Sequence, residues 1–441
     1  MIVLAGGVMM GIIHSCKVVG PGGLFGPVSP HEKYGQQLKA AGLEKTALGN
    51  AWFIAAETSL DSPLSIPIPY RERGYFPPDK ARAATFRFEA RQGQKITFSL
   101  DKKPLENFTL YLDLWEEKGD RREHLVGYAD TATLRFSYET NRTAFFVLRV
   151  QPELLSGGEY TLTIQSGPSL AFPVRNGRAQ SFWGAVRDDG RRNHEGVDIF
   201  APFRTPALAA APGIVTRVGQ NKLGGNVVFL KPEGKDYSLY YAHLDEQLVK
   251  EGESVQEGDT LGLIGTTGNA RGGPPHLHFG IYTHTGAVDP YPFIDQNIKA
   301  PPLIKTAAQT IGSSMRVSAK NAELFLSLAA PIASPEKLSP NSILEVTAVS
   351  ASWYKVVLPN GRTGFVRSRT LRKLSPAIGE LRLKGPLALL DLPKDEAATK
   401  TVLQANDRVQ LLGVYKNFYF VNVQDQNGWT KKAAMEAAEF K

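Results

Sequence analysis

The chain has 441 residues, 42% of them hydrophobic and 21% charged, which excludes global disorder and leaves room for several domains. Its one cysteine, Cys16, excludes an intramolecular disulfide and any cysteine-only metal site. The net charge of +8 belongs to the C-terminal third, where residues 301–441 hold 19 Lys and Arg against 11 Asp and Glu, including Arg362, Arg367, Arg369, Arg372 and Lys373. Such a surface attracts polyanions. No zinc-finger, RNP-like or helix-turn-helix pattern points to nucleic acid, so another anionic polymer or a membrane surface is the better match.

Residues 2–13 are apolar or glycine throughout, too short to span a bilayer but suited to a signal-peptide core. The next four residues, Ile13-His14-Ser15-Cys16, resemble a lipobox. That resemblance implies a signal peptide over 1–16, a lipid on Cys16 and attachment to a membrane. Residues 17–78 are rich in glycine and proline and read as a tether, with a short helix over 36–48 and His31 as a solvated linker residue.

From 79 to 170 short alternating runs follow one another, among them A-T-F-R-F-E-A, K-I-T-F-S-L and A-F-F-V-L-R-V. Strands at this spacing predict a β-sandwich. The segment resembles the jelly-roll pre-peptidase domains of secreted bacterial hydrolases. His124 lies in a charged turn and reads as a surface residue.

Residues 171–298 hold five of the eight histidines, at 194, 243, 276, 278 and 284. N-H-E-G-V-D-I-F contains His194 and Asp198. Gly196, Val197, Ile199 and Pro202 argue against a helix there. A fully extended strand would separate 194 and 198 by about 13 Å, so the pair can share one ion only if the chain bends at Gly196. In P-P-H-L-H-F-G, alternation points His276 and His278 one way and sends Leu277 and Phe279 into the core. Two histidines and one carboxylate, with a fourth position for water, make the donor set of a catalytic zinc site. A nearby imidazole can then serve as general base. The T-T-G-N-A-R-G-G loop at 266–273 lacks the Gly-Lys-Ser/Thr ending of a phosphate loop and reads as a wall of a substrate groove. V-K-E-G-E-S-V-Q-E-G-D-T-L-G lacks the modifiable lysine of a lipoyl-type hairpin.

H-x-x-x-D, then Y-A-H-L, then H-x-H in a β-rich frame resembles the lysostaphin-type (LytM) zinc endopeptidases. The likeness extends to A-P-x-x-T-P at 201–206 and the G-G-N-V-V turn at 224–228. It implies one zinc ion on His194, Asp198 and His278, with His243 and His276 as catalytic histidines; His284 lies beyond the motif and is expected to be exposed. It further implies hydrolysis of peptide bonds in peptidoglycan stem peptides or cross-links, at the periplasmic or extracellular face of the cell envelope. Some members of that family have lost ligands and act as silent scaffolds or activators of other wall hydrolases; this chain keeps every expected position.

After A-P-P-L at 300–303 a diverged repeat follows. S-x-x-W-Y-K-V-V-L from Ser350 matches Y-x-x-F-Y-F-V-N-V from Tyr415. The repeat predicts two small β-barrels, over 312–374 and 378–436. They resemble bacterial SH3-like modules, which bind wall peptides or pack beside a catalytic domain. The expected fold is therefore mainly β: a sandwich, an antiparallel peptidase sheet and two barrels.

Overall fold

A computed structural model describes residues 28–119, 121–187, 190–329 and 335–440; the lipobox-like segment and Cys16 lie outside them. Mainly β architecture holds throughout the described residues, with antiparallel pairing dominant. Among these residues no helix is long and apolar enough to cross a membrane.

The first departure is at the N-terminus. Where a tether was expected, helices span Pro30–Ala40 and Ala47–Asp61. Ser29 caps the first through a capping box with Glu32, and Thr46 caps the second. Their inner faces bury Leu38, Trp52 and Ala56. His31 is not a solvated linker residue: it is buried, stacked on Trp52 at 4.6 Å, with Nε2 2.7 Å from Gln151 Oε1 and Nδ1 2.7 Å from Arg149 Nη2. Burial of two aromatic rings outweighs the solubility that the surrounding glycine and proline content suggests.

The sandwich also begins earlier than residue 79, with strands Leu64–Ser65 and Tyr70–Phe76. One sheet runs in the order Leu64–Ser65, Ala84–Ala90, Ala144–Pro152, Leu110–Lys118, Arg121–Tyr128. The facing sheet contains Tyr70–Phe76, Gly158–Pro168, Gln94–Lys103 and Arg135–Glu139. Alternate residues of both, including Phe86, Phe88, Phe98, Phe146 and Leu162, form one core.

The facing sheet does not stop at the sandwich. Strand Tyr70–Phe76 pairs antiparallel with Ile343–Ser350 of the C-terminal region, Arg73 opposite Val349 and Gly74 opposite Ala348. The C-terminal region forms two β units. The first is built on Ser314–Val317, Ile343–Ser350, Trp353–Val357, Thr363–Arg367 and Leu371–Lys373 around Val317, Val346, Val356 and Val366. The second is a six-stranded sheet closed by an unexpected helix, Lys432–Phe440. The two copies of the repeat occupy matching hairpins, Trp353–Val357 with Thr363–Arg367 and Phe418–Val423 with Gln426–Lys431.

Between these flanks lies a ten-stranded sheet. Its main path runs Arg178–Ser181, Val197–Phe200, His276–Thr283, Ser238–Gln247, Gly225–Pro232, Gly213–Asn221, Ser254–Val255. Val197, Ile199, Tyr241, Leu244, Leu277 and Phe279 line its buried face, each fully inaccessible. The segment enters and leaves beside the sandwich: Leu170 N donates to Phe293 O, and Gln165 Nε2 donates to Lys299 O.

Candidate metal centre and active site

Strand register assembles the site on the opposite face of that sheet. Asp198 stands directly across from His278, and His278 directly across from Ala242 on the other side. Cross-strand partners share a face, so Asp198 and His278 meet as soon as the three strands pair. Phe200 faces His276 in the same ladder, their rings 5.0 Å apart.

His194 precedes the strand rather than lying in it. The chain leaves strand Arg192–Asn193, bends through 194–196 and re-enters strand at Val197. The turn returns the His194 ring to Asp198 despite the long extended reach between them. Gly196 is needed here for space: a Cβ on it would lie 2.5 Å from His278 Cε1, 2.6 Å from His278 Nε2 and 2.8 Å from Phe279 O.

The three side chains converge closely. Asp198 Oδ1 lies 3.0 Å from His194 Nε2 and 3.1 Å from His278 Nδ1, and the two nitrogens are 3.0 Å apart. A tetrahedral ion with bonds of about 2.0–2.1 Å sets neighbouring ligand atoms ~3.3 Å apart. Two neutral imidazole nitrogens and one carboxylate oxygen, nearly equidistant, therefore fit a single divalent metal, and among the described residues this is the group that offers one.

Three of the four rings are oriented by a backbone carbonyl at Nδ1. His194 Nδ1 is 3.0 Å from Phe182 O; donating there leaves Nε2 as the lone-pair nitrogen. His243 Nδ1 donates to Thr267 O at 2.9 Å, and His276 Nδ1 to Pro274 O at 2.9 Å. Their Nε2 atoms are then the basic ones. His276 Nε2 lies 3.9 Å from Asp198 Oδ1, and the His243 ring is 4.9 Å from His276 and 5.8 Å from His278.

His243 reaches this face through a backbone irregularity that alternation does not reveal. Tyr241 and Leu244 both point into the core although three residues apart. The extra residue is taken up at His243, whose φ of 61° is left-handed. Positive φ is costly for a residue with a Cβ; here hydrogen bonds from His243 N to Gly224 O and from Gly265 N to His243 O hold it. The 266–273 loop is thus a support as well as a wall, since Thr267 accepts from His243 and its hydroxyl donates to Leu244 O.

Burial, reinforced by neighbouring His278 and His276, lowers the His243 pKa to about 4. Burial likewise lowers that of His278, against the pull of Asp198. For Asp198 burial favours the neutral acid, but the His194 and His278 ring nitrogens beside it outweigh burial and hold the carboxyl well below its usual range. The site thus favours neutral His243 and His278 and an ionised Asp198.

All five residues singled out by motif, His194, Asp198, His243, His276 and His278, come together. His284 lies apart and exposed. Sequence reasoning missed Arg187, which donates to Asp198 Oδ2 at 2.6 Å, and the Phe182, Thr267 and Pro274 carbonyls that orient the rings. A carbonyl carries no side-chain signature, and Arg187 has no fixed spacing to its partner that a pattern would expose.

Part of the chain is similar to known proteins. Residues 192–290 match the model for peptidase family M23. The L-Ala–D-Glu endopeptidase of Bacillus subtilis (strain 168) is 36% identical over 139 residues, which are 29% of this chain and 42% of that protein. The peptidoglycan DD-endopeptidase ShyC of Vibrio cholerae is 42% identical over 86 residues, 20% of this chain and 19% of that one. This chain thus spans less than half the length of these curated relatives. The catalytic domain of the antimicrobial peptidase lysostaphin from Staphylococcus simulans is 31% identical, covering 27% of this chain and 92% of that domain, with a TM-score of 0.25. Residues 192–290, where His194, Asp198 and His278 meet, thus form a peptidase family M23 domain.

Proposed function

We propose that this chain is a zinc-dependent endopeptidase that hydrolyses peptide bonds in peptidoglycan stem peptides or cross-links. The observation that carries it is the near-equilateral triangle of His194 Nε2, Asp198 Oδ1 and His278 Nδ1, with two further histidines beside it whose Nδ1 atoms are already engaged. Zinc held by these three residues would supply Lewis acidity toward a peptide carbonyl and toward water. His243 and His276 present basic Nε2 atoms to the same space. One takes the proton of the attacking water as its oxygen bonds to the carbonyl carbon; the C–N bond then breaks and the leaving amine receives a proton from an imidazole. Burial of His243 keeps that ring neutral and able to accept.

The peptidoglycan substrate is supported by the names of the relatives, one an L-Ala–D-Glu endopeptidase and another a peptidoglycan DD-endopeptidase. They cut different bonds, so the bond is to be read directly. A lipid on Cys16 would hold the enzyme at the envelope, and the basic C-terminal units would favour anionic wall polymer. The test is digestion of purified sacculi by the full chain, with mass analysis of released muropeptides, before and after chelation and zinc return. New amino termini that vanish in H278A and H243A support the proposal. Zinc binding without any release supports a silent wall-binding scaffold or activator instead.

A further inference from the structure

The two oxygens of Asp198 face different partners. Oδ1 is the atom close to both ligand nitrogens. Oδ2 turns away and accepts from Arg187 Nη2 at 2.6 Å, and the same nitrogen donates to Ser181 Oγ at 2.5 Å. Ser181 lies across from Asp198 in the sheet, and Arg187 pairs with Arg192 in the hairpin that leads into His194. The clamp on Asp198 is therefore built into the same turn that delivers a second ligand. Arg187 is one-third exposed and Asp198 is buried, at 33% and 8% of their side-chain surfaces, so the pair is shielded mainly on the carboxylate side.

A carboxylate with both oxygens free can rotate and bind a metal through both. The second oxygen would then enter the position that an open catalytic site leaves to water or substrate. A guanidinium nitrogen on Oδ2 opposes that rotation, because a charge-assisted hydrogen bond holds that oxygen away from the ion. Ser181 fixes the guanidinium in turn, and its hydroxyl also stands 3.5 Å from His194 Nδ1.

We propose that Arg187 is a positioning residue for the metal carboxylate: it holds Oδ2 so that Asp198 offers one ligand atom only, and the fourth position stays open. This rests on the reading of His194, Asp198 and His278 as a zinc site. The role concerns ligand geometry, so it is read on the loaded protein without turnover.

The experiment uses the full chain, stripped with chelator and reloaded. Zinc affinity is measured by competition with a chromophoric chelator, and coordination by the visible spectrum of the cobalt(II)-substituted protein. R187M is expected to weaken zinc binding by about 10- to 100-fold, the usual cost of losing an outer-shell partner. It should also lose cobalt band intensity as a fifth ligand atom enters. R187K, which keeps a cation and a donor, is expected to recover most of both. If R187M does not fold, R187Q carries the same test, since it removes the charge but keeps a polar side chain. A folded neutral variant with zinc affinity within about twofold of wild type and an unchanged cobalt spectrum overturns the proposal. If the wild type itself takes up no zinc, the reading of the site fails instead.

Discussion

Glu72 and Lys355 are 283 positions apart in the chain and form a buried ion pair of 2.5 Å. Glu72 also accepts from Tyr70 at 2.8 Å and from Tyr160 at 2.6 Å, and Lys355 lies 4.6 Å from the Phe86 ring centre. The pair sits where the sandwich strand Tyr70–Phe76 adds to the C-terminal strand Ile343–Ser350. K355M would leave a carboxylate buried without its cation, which costs about 3–5 kcal/mol. E72Q/K355M removes both charges and is expected to recover much of that loss. Denaturant unfolding of wild type and the two variants measures the difference.

Removing bound metal is expected to lower stability by an amount that grows with the logarithm of free metal over its dissociation constant. Zinc at 1,000 times its dissociation constant contributes about 4 kcal/mol by mass action. Thermal unfolding with and without chelator should show the drop in wild type. D198A, which loses the atom common to two of the three short contacts, should unfold at one temperature in both conditions.

Gly196 is predicted to tolerate no side chain. In G196A the new methyl meets the His278 ring and Phe279 O well inside contact distance, and overpacking of this order costs about 1–3 kcal/mol. Because the displaced ring is a proposed ligand, zinc affinity should fall by more than the loss of stability explains. Parallel unfolding and zinc-competition titrations separate the two.

His31 makes stability depend on pH. Burial, followed by the charge of Arg149, lowers its pKa from 6.5 to about 3, while Gln151 opposes the shift. The unfolded chain therefore binds a proton that the folded chain refuses throughout that window. Stability is fully present above pH 6.5 and declines as pH falls toward 3, by up to about 1.4 kcal/mol per pH unit. Arg149 and Asp113 face the ring from the sheet and Trp52 from the second helix. H31F keeps the aromatic stack but cannot titrate, so its unfolding midpoint should vary less between pH 6.5 and 4 than that of wild type.

Parts of the site were legible because their geometry follows strand periodicity. His276, Leu277, His278 and Phe279 alternate as written, and the bend before Asp198 follows from the reach of an extended chain. His243 illustrates the limit: plain alternation would turn it inward with Tyr241, and only a left-handed residue brings it to the site. The strand Tyr70–Phe76 was hidden by flanking prolines, and the helices before it by the glycine-rich segment, although S-P-H-E already spelled a capping box. Pairing between residues 73 and 349 depends on tertiary contact and has no local signal.

The neighbouring ends of the central segment, Leu170 beside Phe293 and Gln165 beside Lys299, have a consequence for modularity. The strands before and after it already belong to one continuous sheet. The central segment is thus spliced into a host scaffold at a single point, as a graft is set into a stem. Excising it and rejoining the host with a short linker should leave that scaffold folded, and the same junction could receive a different domain.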